Sequence, residues 1–196
     1  MKSIVYWHPF TYNLIMRLLY GSNFEERYKS IANIIPNNAS VVEVCAGDGY
    51  LYRHYLKNKN VTYVGYDINP ALVRASQKKG ISMLLCNLFE DQVPMADYVL
   101  IQASLYQFIP RENEIITKLL NSARIALIVA EPVKNLSDSS NPIIRFLARR
   151  SANPGSGHVA KRFNSDTLRF CFTKYPEFRD WIEVKGGREA IGVFRK

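Results

Sequence analysis

An α/β domain with a mostly parallel sheet is the fold class this sequence predicts. Three observations carry it. Short apolar runs alternate with helical patterns. The runs are four to six residues long and mostly rich in Val, Ile and Leu, as expected of strands covered on both faces. The chain ends in two short strand patterns joined through Gly186-Gly187, which read as an antiparallel hairpin.

The elements follow in order. Residues 9–20 read as a first helix, closed by Gly21. Ser22-Asn23-Phe24-Glu25 reads as a capping box, and Phe24, Tyr28, Ile31 and Ile35 follow at helical spacing. Parallel strands are predicted at 41–45, 61–66, 82–85, 98–102 and 125–130. Between them, Asn69-Pro70 is an N-cap with proline in the first turn, and Gly80 ends that helix. Pro110 opens another, with Ile115, Ile116, Leu119 and Leu120 on one face. After the fifth strand come a polar stretch, a short basic helix at 142–150 and a loop rich in Gly, Ser and Pro at 151–157. Ser165 is placed as the cap of a helix with Leu168, Cys171, Phe172 and Tyr175 on one side. The hairpin strands are predicted at 181–185 and 190–194.

Composition excludes several classes. At 47% hydrophobic and 22% charged, the 196 residues suit one globular domain, 1–196, and neither a disordered nor a collagen-like chain. No apolar run reaches the ~18 residues of a membrane span. The N-terminal apolar run is too short for a secretory core. Cys45, Cys86 and Cys171 are odd in number, far apart and not in metal spacing, so free thiols in a reducing cytoplasm are expected and no metal site is. The net charge is +9, with +2 in residues 1–131 and +7 in residues 132–196. That asymmetry reads either as a solubilising surface or as a face for an anionic partner.

The most informative stretch is Val41-Val42-Glu43-Val44-Cys45-Ala46-Gly47-Asp48-Gly49-Tyr50-Leu51-Tyr52: an apolar strand, a tight glycine turn and a helix start. Gly47 and Gly49 let the backbone turn sharply and let a ligand approach. Asp67 lies 20 positions beyond Gly47, after the next strand, where a carboxylate can accept both hydroxyls of a ribose. Together they point to a nucleoside. A dinucleotide turn needs a small residue where Tyr52 stands, and the phosphate-cradling G-x-x-x-x-G-K-[ST] is absent. Glu43, at the strand-to-turn corner, suits a ligand with a cationic amine.

These residues resemble the class I S-adenosylmethionine-dependent methyltransferases, and the resemblance runs from about Val41 to the final hairpin. Glu43 to Gly49 looks like their first motif, acid-x-G-x-G-x-G. Cys45 stands at the first glycine, and the turn is expected to survive with a negative φ there. Val64-Gly65-Tyr66-Asp67-Ile68 looks like the second motif, whose acid holds the ribose. Cys86-Asn87-Leu88 sits where the family usually has an Asp at the adenine amine, and an Asn oxygen can accept the same bond. Residues 96–106 resemble the fourth strand and its substrate-facing loop, and residues 128–133 the end of the fifth strand. The resemblance implies a single-domain Rossmann-like methyltransferase sandwich, a mostly parallel seven-stranded sheet with a C-terminal antiparallel hairpin. It implies S-adenosylmethionine as cofactor, bound by Glu43, Cys45, Ala46, Gly47, Gly49, Asp67, Ile68, Asn87, Leu88 and Gln102.

The sulfonium chemistry belongs to the cofactor, so no catalytic side chain is strictly required. A general base would be sought first at His158, then Glu131, then Tyr106. The place of the [D/N]-P-P-[F/Y] motif reads Gln102-Ala103-Ser104-Leu105, which argues against transfer to exocyclic base amines. Residues 1–38, with the aromatic stretch Tyr6-Trp7-His8-Pro9-Phe10, are expected to form a lid, and residues 134–163 a substrate-side insert. The acceptor expected is a small molecule, anionic if the basic cluster Arg145, Arg149, Arg150, Lys161 and Arg162 faces it. RNA or another anionic macromolecule is the second reading, and a non-catalytic S-adenosylmethionine-binding protein the third.

Overall fold

The computed structural model describes residues 24–134 and 162–196. The helix expected at 9–20, the aromatic stretch at its start, the first half of the Ser22–Glu25 box, the basic helix, the Gly/Ser/Pro loop and His158 lie outside the described residues, as do Arg145, Arg149, Arg150 and Lys161.

Seven strands form one sheet: β1 (Ser40–Val44), β2 (Thr62–Asp67), β3 (Met83–Leu85), β4 (Ala96–Gln102), β5 (Ala123–Pro132), β6 (Phe178–Glu183) and β7 (Glu189–Arg195). Their order is β3-β2-β1-β4-β5-β7-β6. The first five pair in parallel. β7 runs antiparallel to both β5 and β6, so six strands share one direction and β7 alone is reversed. The connections leave β1 toward β2 on one side and reach β4 on the other. The carboxyl ends of β1 and β4 therefore flank a topological switch point, the crevice where open α/β sheets bind ligands.

The alternation of side chains along each strand splits the core into two layers. Val41, Leu100, Ile128, Ile191 and Val193 face helix α1 (Phe24–Ile34) and helix α2 (Pro70–Gln77). Val42, Val44, Ile101, Leu127, Val129 and Phe194 face helix α3 (Glu112–Ser122) and helix α4 (Ser165–Phe172). In α1, Phe24, Tyr28 and Ile31 supply the buried stripe, joined by Ile35 just beyond it. Ile115, Ile116, Leu119 and Leu120 do the same for α3. No helix among the described residues is long and apolar enough to cross a membrane.

Local details refine the sequence reading. The Asn69 side chain caps α2 by accepting from Ala71 N at 2.9 Å. α3 begins at Glu112 rather than at Pro110, because Arg111 is its cap residue. Asn164, not Ser165, caps α4: its side chain accepts from Thr167 N at 2.8 Å while Thr167 returns a bond to the Asn164 backbone, a reciprocal box in which Ser165 is the first helical residue. The segment after the glycine turn is not a plain α-helix. It widens into a π-helical turn at Tyr52–Leu56 and tightens to a 3₁₀ turn at Lys57–Lys59. Tyr50 and Tyr55, five residues apart, both donate their hydroxyls to the Glu25 carboxylate of α1.

Candidate functional site

The carboxyl edge of the sheet gathers the residues that the sequence singles out. After β1 the chain turns through Cys45, Ala46, Gly47 and Gly49, with Cys45, Gly47 and Gly49 all at positive φ (54°, 60° and 67°). Cys45 thus takes the left-handed backbone that the glycine it replaces would take, against the expectation of a negative φ there. A non-glycine residue in this region carries strain of roughly 1–3 kcal/mol. Ala46 N donates to Tyr66 O at 2.9 Å, pinning the turn to β2.

Asp67 ends β2 and fixes the same turn. Its Oδ2 accepts from Gly47 N at 2.9 Å and its Oδ1 from Asn69 N at 2.8 Å. Burial raises its pKa, and these two backbone N–H groups oppose the rise. A carboxylate offers about four lone-pair sites, so each oxygen keeps acceptor capacity. Ile68, next in sequence, is 65% exposed at the rim.

Glu43 lies beneath the turn rather than in the open crevice. It is buried, and its Oε2 accepts from the Tyr63 hydroxyl at 2.6 Å. Gly65 makes room for this pair, because a Cβ there would come within 2.8 Å of the Tyr63 oxygen and onto the Met83 sulfur. Burial pushes the Glu43 carboxyl up to about 8; the Tyr63 bond opposes this, and Asp48 and Asp67 add to it. Tyr52, where a dinucleotide turn would need a small residue, stacks on Tyr63 with ring centroids 4.3 Å apart.

After β3, Asn87 closes its own loop. Its Oδ1 accepts from Phe89 N at 3.2 Å and its backbone N donates to Asp91 Oδ2 at 2.7 Å. Leu88 is buried beside it.

Across the crevice the chain leaves β4 through Gln102 and Ala103, the latter at φ 50°. Glu131, near the end of β5, is wholly buried, and its Oε1 accepts from both Ser104 N and Leu105 N at 2.6 Å. Its Oε2 is buried with no hydrogen-bond partner among the described residues, as is Gln102 Nε2. Burial lifts the Glu131 carboxyl to about 8; the two N–H groups oppose this, and Glu189 adds to it. Tyr106 follows on the same loop, buried under the Arg162 guanidinium at 4.2 Å from its ring.

Two participants escaped sequence reasoning. Arg27 of α1 and Glu189 of β7 form a buried ion pair at 3.0 Å. A signal for it exists: Arg27 falls on the apolar stripe of α1, at the i+3 position between Phe24 and Ile31.

No protein-family profile matches the sequence, and no curated protein matches it. Its fold has many solved counterparts. One is a S-adenosylmethionine-dependent methyltransferase from Thermotoga maritima, 13% identical, with a TM-score of 0.69 over 98% of both chains. Another is magnesium protoporphyrin IX methyltransferase from Synechocystis, solved with bound S-adenosylhomocysteine, 15% identical, with a TM-score of 0.66 over 97% of both chains. A third is a TehB-like methyltransferase from Corynebacterium glutamicum, 16% identical, with a TM-score of 0.58 over 87% of both chains. The fold is the Rossmann-like sandwich of the class I methyltransferases.

Proposed function

We propose that the chain is a S-adenosylmethionine-dependent methyltransferase acting on a small-molecule acceptor. The observation that carries this reading is the bond from Gly47 N to Asp67 Oδ2. It ties a glycine turn and a strand-end carboxylate into one unit at the switch point of this fold.

The residues present fit that cofactor. Nothing lies within 4 Å of where a Gly47 Cβ would sit, so a ligand can rest against the turn. Asp67 keeps lone pairs for two ribose hydroxyls. Ile68 and Leu88 would flank the adenine, and Asn87 would meet it through the loop it closes. Glu43 would act on the cofactor amine through the turn above it. Cys45, Ala46 and Gly49 shape that turn. Gln102 Nε2, buried without a partner, can donate to a polar ligand group.

The sulfonium methyl supplies the electrophile. The protein's part is to align the acceptor and exclude water; orientation alone is worth roughly 7–11 kcal/mol of a barrier. A base is needed only for a hydroxyl or a protonated amine. Among His158, Glu131 and Tyr106, the buried position of Glu131 suits it to holding the loop after β4 rather than to taking a proton from the acceptor. In this reading the whole chain, 1–196, is one methyltransferase unit in the cytoplasm, with 1–38 and 134–163 covering the acceptor. The small-molecule class is supported by the fold's occurrence in magnesium protoporphyrin IX methyltransferase.

Calorimetry with S-adenosylmethionine, S-adenosylhomocysteine and NAD tests the first half. The adenosyl ligands should bind and NAD should not; NAD binding alone would overturn the reading. Transfer of labelled methyl from S-adenosylmethionine to a metabolite extract tests the second half. Label that vanishes after ribonuclease treatment would identify an RNA acceptor, and cofactor binding with no transfer to any extract would mark a non-catalytic binder.

A further inference from the structure

The chain carries a net charge of +9, yet its buried ionisable side chains are mostly acidic. Among the described residues, Glu43, Asp67, Glu131 and Glu189 are buried, against Arg27 as the buried base. All four acids lie at or near the carboxyl edge of the sheet, on β1, β2, β5 and the start of β7. We propose that this edge is charge-selective, holding a sulfonium methyl donor in preference to its neutral thioether product, with Glu131 as the residue that sets the preference. The inference rests on the cofactor reading above.

Glu131 is singled out by its partners. Asp67 is bound by two backbone N–H groups, Glu43 by the Tyr63 hydroxyl and Glu189 by Arg27. Among the described residues, Glu131 pairs one oxygen with two backbone N–H groups and has no hydrogen-bond partner for the other, which is buried. The groups around it come from every neighbouring element. Ser104, Leu105 and Tyr106 present backbone N–H from the loop after β4. Glu189 faces it from β7, and Arg27 of α1 neutralises Glu189. Cys45, just past β1, feels both Asp67 and Glu131, so the crevice has a carboxyl group on each side.

The two ligands differ by one positive charge, since the donor's sulfonium becomes an uncharged thioether when the methyl leaves. An ionised Glu131 favours the donor over the product through the donor's extra charge, and a protonated Glu131 does not tell the two apart by charge. With its carboxyl raised to about 8, the group is mostly protonated at neutral pH in the free protein. Donor binding therefore draws its proton off, and product binding leaves the proton in place. Release of the product is eased by the same step.

The test is calorimetry with S-adenosylmethionine and S-adenosylhomocysteine between pH 6 and pH 9, in pairs of buffers of different ionisation enthalpy. For the wild type, the affinity ratio of donor to product should rise about tenfold across that range, as a shift of about one pKa unit implies. More protons should be released with the donor than with the product. In Glu131→Gln, whose amide oxygen still accepts from Ser104 and Leu105, the ratio should stay flat. The ligand amino group titrates in the same range, but it is common to both proteins, so their difference isolates Glu131. A flat wild-type ratio with equal proton counts, or a Glu131→Gln slope equal to the wild type, overturns the proposal while leaving the cofactor reading intact. A wild type that binds neither ligand removes the cofactor reading itself. If Glu131→Gln does not fold, the wild-type proton counts decide, each corrected for the amino titration of its own ligand measured free in solution.

Discussion

The two walls of the crevice handle buried carboxylates in opposite ways. On the β1–β2 wall, Asp67 uses both oxygens to hold backbone, and the strained turn through Cys45 is pinned between them and Tyr66. On the β4–β5 wall, Glu131 holds the loop with one oxygen, and the other is buried with no partner among the described residues. The first wall has its backbone fixed before a ligand arrives, with lone pairs left on both Asp67 oxygens. The second holds an unfulfilled bond in a low-dielectric place, which is where a polar interaction counts most. One side combines a fixed shape with spare acceptors, and the other holds a polar atom still to be matched.

Removing the anchors tests this contrast. The largest effect is expected from Glu131→Ala, which strands two buried N–H groups at roughly 1–3 kcal/mol each. Urea unfolding should show a loss of about 2–5 kcal/mol, and Glu131→Gln should recover most of it. An alanine variant as stable as the wild type would show that the loop stands without its anchor. Asp67→Ala comes next. It should weaken S-adenosylmethionine binding about tenfold or more, because a bond to a charged acceptor is worth roughly 1.5–3 kcal/mol. Unchanged affinity in a folded variant would reduce Asp67 to a brace for the turn.

A third effect follows from pH. The Glu43 and Glu131 carboxyls are raised from 4.5 to about 8 in the folded chain by burial. The folded state therefore binds more protons than the unfolded state between those values, and stability falls as pH rises through that window. Denaturation midpoints from pH 4.5 to 8.5 should decline, and Glu43→Gln should flatten the decline in part. A midpoint that rises with pH would contradict the burial of both groups as neutral acids. The smallest effect is expected from Cys45→Gly. Relieving the left-handed strain should raise stability by about 1 kcal/mol, read as a shift in thermal midpoint.

Much of the first wall was legible in the sequence. Two glycines after an apolar strand, and an acid 20 residues on, leave few folds that use both. The strands and the terminal hairpin were legible as short apolar runs, whereas their order across the sheet was not spelled out by them. The second wall was harder to read. Glu131 was visible at a strand end, but nothing in Ala130-Glu131-Pro132 says that two amides from the preceding loop converge on it. That convergence depends on Ala103 bending through positive φ, which alanine does not advertise. Asn87 reads from the sequence as a contact for the base; that its oxygen also closes its own loop was not legible, though the amide two residues on lies in easy reach. The Arg27–Glu189 pair links residues far apart in the chain, and only one arginine on an apolar stripe hinted at it.

That pair sets an order of events in folding. Arg27 lies on the helix before the first strand, and its partner lies on β7, the last of the described strands in chain order. A charged guanidinium cannot settle in an apolar layer without its counter-charge. Full docking of helix α1 therefore requires β7 in place, and it is a long-range closure of the kind that slows folding. A chain truncated before β7 should leave α1 open to hydrogen exchange even where the parallel strands are already protected. The first described helix and the last described strand are thus fastened to each other across the whole sheet.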